Sequence, residues 1–255
     1  MNFAPIGWPR LSLWRYMGLP HSAHDISDWQ MTSYTRYAVY YLPPKGDLAD
    51  FGAAWLGWDV ALGQKVAHFA DVAGLAPAVA TPQKYGFHAT LKPPFRLADG
   101  CTLADLRDAL AGVAAATPAA MAPGLQLARL GRFLALVPQG DGADIGRVAA
   151  AMVQGLDQFR APALQGELAR RRAAGLTPRQ EQLLTQWGYP YVMEAFRFHL
   201  TLSGKLASDA LDQLEAAAQR LLPPLPQPFV MAEVALLGER ADDARFELIE
   251  RFALA

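Results

Sequence analysis

The chain has 255 residues, 52% of them hydrophobic and 18% charged, so it carries enough apolar sequence to bury a core and does not read as a disordered polymer. A formal net charge of -1 argues against a general polyanion binder, though not against a local basic pocket. One cysteine, Cys101, excludes an internal disulfide scaffold and a cysteine-rich zinc site, and no apolar run approaches the roughly 20 residues that cross a bilayer.

Residues 1–35 read as an irregular extension, rich in Trp, Pro, Gly and His and without a clean period. Met1–Trp14 holds Pro5, Pro9 and Arg10 and no continuous apolar stretch, so it does not read as a secretory signal; a cytoplasmic location is expected. His21 and His24 have no carboxylate or thiol partner in this stretch and are assigned no metal.

Arg36–Leu42 is β-branched and aromatic and ends at Pro43-Pro44, which predicts a strand. Leu48–Val72 carries Phe51, Trp55, Trp58, Val60, Leu62, Val66 and Phe69 at roughly helical spacing, weakened at Gly57 and Gly63. His68 in this segment reads as a packed or surface histidine. Lys84–Leu97 predicts a second strand, and Thr102–Ala116 a helix with Thr102 as its N-cap. Cys101, at the turn before that helix, lacks the cationic surroundings of a nucleophile and reads as structural.

Leu125–Val137 predicts two short strands about Gly131, and Asp144–Phe159 a helix. Pro162–Trp187 predicts two helices split near Gly175, the second opened by Thr177-Pro178. The run Arg170, Arg171, Arg172 reads first as a solvated helix face. Phe196–Leu206 predicts a strand, and Ser208–Leu222 a helix capped by Ser208. After a proline-rich link, Phe229–Leu237 and Phe246–Ala253 predict a hairpin-like pair. The sequence has neither a G-x-G-x-x-G nor a P-loop motif. This order predicts an α+β fold of antiparallel or mixed sheets with helices outside.

Two segments match each other: Phe87-His88-Ala89-Thr90-Leu91 and Phe198-His199-Leu200-Thr201-Leu202. Strand side chains alternate faces. Phe87, Ala89 and Leu91 therefore face the core and His88 and Thr90 oppose them, and the second copy repeats this with His199 and Thr201. The same parity adds Lys84 and Lys92 to the face of His88, and Arg197, Ser203 and Lys205 to that of His199. Two imidazoles, two threonines and four cations with no carboxylate describe an anion pocket. Phosphate calls for charge-assisted donors, and reaction at phosphorus needs a proton acceptor and a proton donor, roles that histidines fill near neutral pH.

The paired His-x-Thr motifs resemble the 2H phosphoesterase superfamily. The stretch from Arg36 to Ala255 further resembles the branch associated with phosphonate-utilisation gene clusters. The residues that carry this are Arg36-Tyr37-Ala38-Val39-Tyr40, Tyr85–Phe95 around the first motif, and Trp187-Gly188-Tyr189-Pro190-Tyr191 running into Phe196–His199. The resemblance implies a bilobal, duplicated fold in which two sheets face a central groove with helices outside. The domain would be 36–255, with lobes of about 36–137 and 190–255 and a helical insertion at about 140–189. It implies that His88 and His199 act as general acid and base while Thr90 and Thr201 hold phosphate oxygens, with no metal and no cofactor.

Lys92, Arg197, Tyr191 and Arg36 are the expected substrate-binding residues, ahead of Tyr85 and Tyr189. The insertion is a candidate cap, with Arg171 or Arg172 facing phosphate. The expected activity is hydrolysis of a small cyclic phosphodiester, such as a cyclic ribose phosphate in phosphonate metabolism. The expected partner is a small phosphorylated substrate rather than extended nucleic acid or a membrane. RNA-end processing at 2′,3′-cyclic phosphates and non-catalytic binding of a phosphometabolite are the alternatives. The first would need a basic track with stacking aromatics, which the net charge does not favour.

Overall fold

The computed structural model describes residues 33–255. The first 32 residues, His21 and His24 among them, lie outside the described residues. In chain order the strands are β1 Tyr34–Tyr41, β2 Trp58–Asp59, β3 Gln64–Lys65, β4 Ala89–Phe95, β5 Ala120–Ala122, β6 Leu125–Leu130, β7 Phe133–Pro138, β8 Leu200–Thr201, β9 Phe229–Met231, β10 Glu233–Arg240 and β11 Phe246–Ala253. The helices are α1 Asp47–Leu56, α2 Leu75–Val79, α3 Leu103–Ala115, α4 Ala143–Gly155, α5 Gln165–Arg172, α6 Pro178–Trp187 and α7 Ser208–Leu221.

The fold is α+β, and the strand pairings are antiparallel. The larger sheet has the order β11-β10-β1-β4 and a smaller one the order β6-β7-β8; β2-β3 and β5-β9 form two short ribbons. The two main sheets therefore do not follow the halves of the chain. Strands from 34–41, 89–95, 233–240 and 246–253 share one sheet, whereas 125–138 and 200–201 share the other. Lobes of contiguous sequence, 36–137 and 190–255, are replaced by interleaved ones, because strand pairing follows register and burial rather than chain order.

One core joins the two sheets. Val39, Leu91, Phe87 and Leu236 of the larger sheet region meet Leu134, Leu136, Leu200 and Leu202 of the smaller. Helix α4 packs on β4, α3 on β11 and α7 on β7. Helix α3 is closed by a reciprocal Thr102–Asp105 capping box, as its sequence predicts. Helix α6 opens on Thr177-Pro178, with Thr177 accepting from the Gln180 amide. The cap of α7 differs from expectation: Ala207 holds that position and Ser208 is the first helical residue.

Two further expectations change. Leu48–Val72 is not one helix: α1 stops at Gly57, where the backbone turns left-handed, and the ribbon β2-β3 follows. The buried indoles explain the helix-like spacing, because Trp55 Nε1 donates to the Leu202 carbonyl at 2.7 Å and Trp58 Nε1 to that of Phe246 at 2.7 Å. The predicted strand Phe196–Leu206 is regular only over Leu200–Thr201. The first strand begins at Tyr34, inside the stretch assigned to the extension. No helix among the described residues is long and apolar enough to cross a membrane.

Candidate functional site

Each motif histidine sits just ahead of its strand and just after a 3-10 turn, Gln83–Tyr85 before His88 and Met193–Ala195 before His199. Between the first turn and His88 lies Gly86, with φ 70°. A Cβ there would fall 2.3 Å from Val60 Cβ, so only glycine fits this left-handed corner. The corner aims the Gly86 carbonyl at His88 Nδ1, 2.9 Å away. A carbonyl can only accept, so Nδ1 carries the proton and Nε2 keeps its lone pair. Nε2 lies 3.1 Å from Thr90 Oγ1.

The His88 ring is buried and stacks on Tyr40, with centroids 3.9 Å apart. Burial is the main cause that pushes its pKa down to about 4. The Gly86 carbonyl opposes this in part, and like charge on His199 adds to it. His88 is therefore a neutral imidazole at neutral pH, in the state of a proton acceptor.

His199 repeats the device in a more open setting. Its Nδ1 donates to the Arg197 carbonyl at 2.8 Å, again leaving Nε2 free to act. The ring is half-buried and meets Phe133 edge to face, centroids 5.9 Å apart. Thr201 lies opposite Ala135 on β7, on the face away from Leu200 and Leu202. The alternation read from sequence thus holds in both motifs: Phe87, Ala89, Leu91, Phe198, Leu200 and Leu202 are all core.

A cavity of about 360 Å³ lies between the two sheets, lined by His88 and Thr90 from one side and Thr201 and Ser203 from the other, while His199 lies outside this lining, two residues from Thr201. Arg36, Arg171, Tyr40, Tyr85 and Tyr189 complete its polar and aromatic wall. No carboxylate is among its lining residues within the described part of the chain. Nor is there, among the described residues, any group of three or more His, Cys, Asp and Glu placed to hold a metal ion.

Arg36 reaches the cavity while pairing bidentately with the buried Glu239. Arg171, from the inserted helix α5, donates to the Gly188 carbonyl and lies over the Tyr189 ring, 5.3 Å from its centroid. Burial lowers its pKa from the usual arginine value. Ser203 lines the cavity too, but its hydroxyl is committed to the backbone, accepting from the Leu134 amide and donating to the Gly204 carbonyl.

Three expected binding residues lie elsewhere. Lys92 is buried and points away from the cavity, its Nζ 3.1 Å from the Val153 carbonyl and 3.9 Å from Asp157. A β-bulge is the reason. Tyr40 pairs with Thr90 but Val39 pairs with Lys92, so Leu91 is an extra residue and parity inverts beyond it. Arg197 is exposed and folds back, donating to the Glu194 and Phe196 carbonyls, because the chain there is not yet a strand. Tyr191 is 44% exposed and lies outside the cavity lining, which takes Tyr189 instead. Lys84 sits over the Tyr85 ring at 4.6 Å, and Lys205 is exposed and outside the lining. Arg172 pairs with Glu181, leaving Arg171 as the insertion's arginine in the cavity.

A family described as "Protein of unknown function (DUF1045)" matches residues 90–247. Two curated relatives are named ribose 1,5-bisphosphate phosphokinase PhnN. That of Janthinobacterium sp. (strain Marseille) is 38% identical over 197 residues, 74% of this chain and 43% of the relative. That of Laribacter hongkongensis (strain HLHK9) is 36% identical over 219 residues, 84% of this chain and 50% of the relative. The chain thus spans half or less of the length of these relatives.

Among solved structures, E. coli LigT complexed with 3′-AMP is 16% identical, covering 88% of this chain and 99% of that one, with a TM-score of 0.41. TT0787 of Thermus thermophilus is 16% identical, covering 86% and 97%, with a TM-score of 0.44.

Proposed function

The chain belongs to the DUF1045 family, and from that premise we propose that it is a metal-independent phosphodiesterase using His88 and His199 as an acid–base pair on a small cyclic phosphodiester. The observation that carries this is the matched preparation of the two imidazoles. Each donates Nδ1–H to the carbonyl two residues upstream, which fixes the ring and frees Nε2 for proton transfer. Threonines of both motifs line the cavity beside His88.

In the proposed reaction the neutral His88 Nε2 takes a proton from water as the water oxygen bonds to phosphorus. His199, protonated, gives its proton to the departing ester oxygen as that P–O bond breaks. One diester and one water yield one phosphomonoester and one free hydroxyl, both on a single molecule when the ester is cyclic. Thr90 and Thr201 donate to the non-bridging oxygens, and Arg36 and Arg171 offset the charge that grows there. The tyrosines Tyr85 and Tyr189 give a sugar ring flat surfaces to pack on. The curated relatives are named for a ribose bisphosphate and as PhnN, which supports a phosphorylated ribose linked to phosphonate metabolism; that this ester is cyclic is part of the proposal.

The test is turnover of chromogenic and ribose-based cyclic phosphodiesters, with mononucleotide and oligonucleotide 2′,3′-cyclic phosphates alongside. Activity is expected on the small esters and to survive prolonged EDTA treatment. Activity lost on chelation and restored by one divalent ion would overturn the metal-independent mechanism. Binding without turnover of any diester would make the protein a phosphometabolite binder, and preference for the oligonucleotide would move it to RNA-end processing.

A further inference from the structure

Beyond His199 the same face of the smaller sheet leads into a second cavity, larger than the first at about 710 Å³. Its floor is Leu130 and Val137. Leu130 lies opposite Phe133, the residue whose ring meets His199, and Val137 is two positions along β7 from Ala135, the partner of Thr201. Thr201, His199, Phe133 and the cavity floor therefore share one side of the sheet. Gly146 and Ala150 of α4 form one wall, and Phe196 and Arg197, just ahead of His199, form the other.

We propose that this pocket receives a neutral aromatic group esterified to the phosphate held between the two histidines, so that the site takes acyclic diesters, with a substituent on each side of phosphorus, in addition to cyclic ones. This rests on the phosphodiesterase reading above. The chemistry of the walls selects the occupant. Leu130, Val137, Ala150 and Phe196 are apolar. Of the charged groups at the rim, Arg147 pairs with Asp144 and Glu194 with Arg179, while the Asp141 carboxylate accepts from the Ala143 amide. Arg197 differs, since among the described residues its guanidinium meets the carbonyls of Glu194 and Phe196 and no carboxylate. A guanidinium among apolar walls, with the Asp141 carboxylate in the same lining, favours a neutral planar ring over a second phosphate. Gly146 keeps the space open. A Cβ built there meets nothing within 4 Å, so a larger side chain would fill the pocket rather than clash with the fold.

The experiment is calorimetric binding of phenyl phosphate and of inorganic phosphate to the full chain. The wild type is expected to bind phenyl phosphate about ten-fold more tightly. Gly146→Leu, which a helix tolerates better than glycine, should erase that advantage and leave inorganic phosphate binding unchanged. Arg197→Met should weaken phenyl phosphate selectively, and a thermal melt of each variant checks that it is folded. Equal affinities in the wild type, or an advantage kept by both variants, overturns the pocket while leaving the phosphate site standing. Inorganic phosphate failing to bind the wild type at all overturns both.

Discussion

The imidazole of His88 lies on the phenol of Tyr40, the planes 25° from parallel. Tyr40 is itself 1% exposed, and burial raises its phenol pKa well above the usual value, so the floor beneath the histidine stays uncharged. Only the Gly86 carbonyl favours a proton on the ring, and it loses to desolvation.

A general base of this kind shifts the acid limb of the rate profile. For the wild type, kcat/KM should fall with an inflection near pH 4, not near the 6.5 of a free imidazole. Tyr40→Ser, which admits water beside the ring, should move the inflection upward. His88→Ala and His199→Ala should each cost about 10²-fold or more in turnover, with the double variant far from additive. Near-normal turnover in either single variant removes that histidine from the mechanism.

The same burial makes His88 an acid sensor of stability. The unfolded chain takes up the proton near pH 6.5 and the folded chain only near 4, so between these values the unfolded state binds more protons. Stability is then full above 6.5, falls as pH drops toward 4, and loses about 3 kcal/mol across the window. Urea titrations at pH 7.5 and 4.5 should show this loss in the wild type and a smaller one in His88→Gln. Equal losses in the two proteins would show that protonation of His88 does not govern acid sensitivity.

Lys92 and Arg171 are predicted to part company. Arg171→Met should lower kcat/KM about ten-fold or more, with part of the loss in kcat, since it removes one charge-assisted donor that offsets the charge growing on phosphate. Lys92→Met strips the Val153 carbonyl of its partner and should lower stability by about 1–3 kcal/mol without altering KM. A raised KM in folded Lys92→Met would return that lysine to the phosphate site.

A substitution far from the phosphate should also reach it. Gly52 in α1 is buried, and a Cβ there would lie 2.0 Å from the Phe87 ring, the residue before His88. Helix propensity favours Ala over Gly by about 1 kcal/mol, but overpacking costs about 1–3 kcal/mol. Gly52→Ala is expected to lower both Tm and turnover by displacing Phe87. A higher Tm with full activity would mean that Phe87 yields freely and does not position His88.

What was legible in sequence was local and periodic. Alternation placed the histidines and threonines of both motifs opposite the core residues, and core membership follows it at Phe87, Ala89 and Leu91 and at Phe198, Leu200 and Leu202. The same rule failed one step later at Lys92, since the bulge at Leu91 depends on how β4 meets β1, and no periodicity records that. Arg197 failed because strand geometry begins only at Leu200. Arg171 was named from the length of the insertion, but its preference over Arg172, like that of Tyr189 over Tyr191, is decided by how α5 and Gly188 meet. The interleaving of the sheets was invisible for the same reason: β1 and β10 are neighbours only in space.

That interleaving has a temporal side. β1 is held between β4 and β10, strands that leave the ribosome at very different times. While residues 233–240 are still being made, the chain already carries both His-x-Thr segments, yet β1 has only β4 to pair with. Closing so long a loop is entropically costly and sets a slow folding rate. The nascent protein thus displays every side chain of the first cavity before it has the sheet that holds them in place, and the cavity's assembly waits for the return of β10.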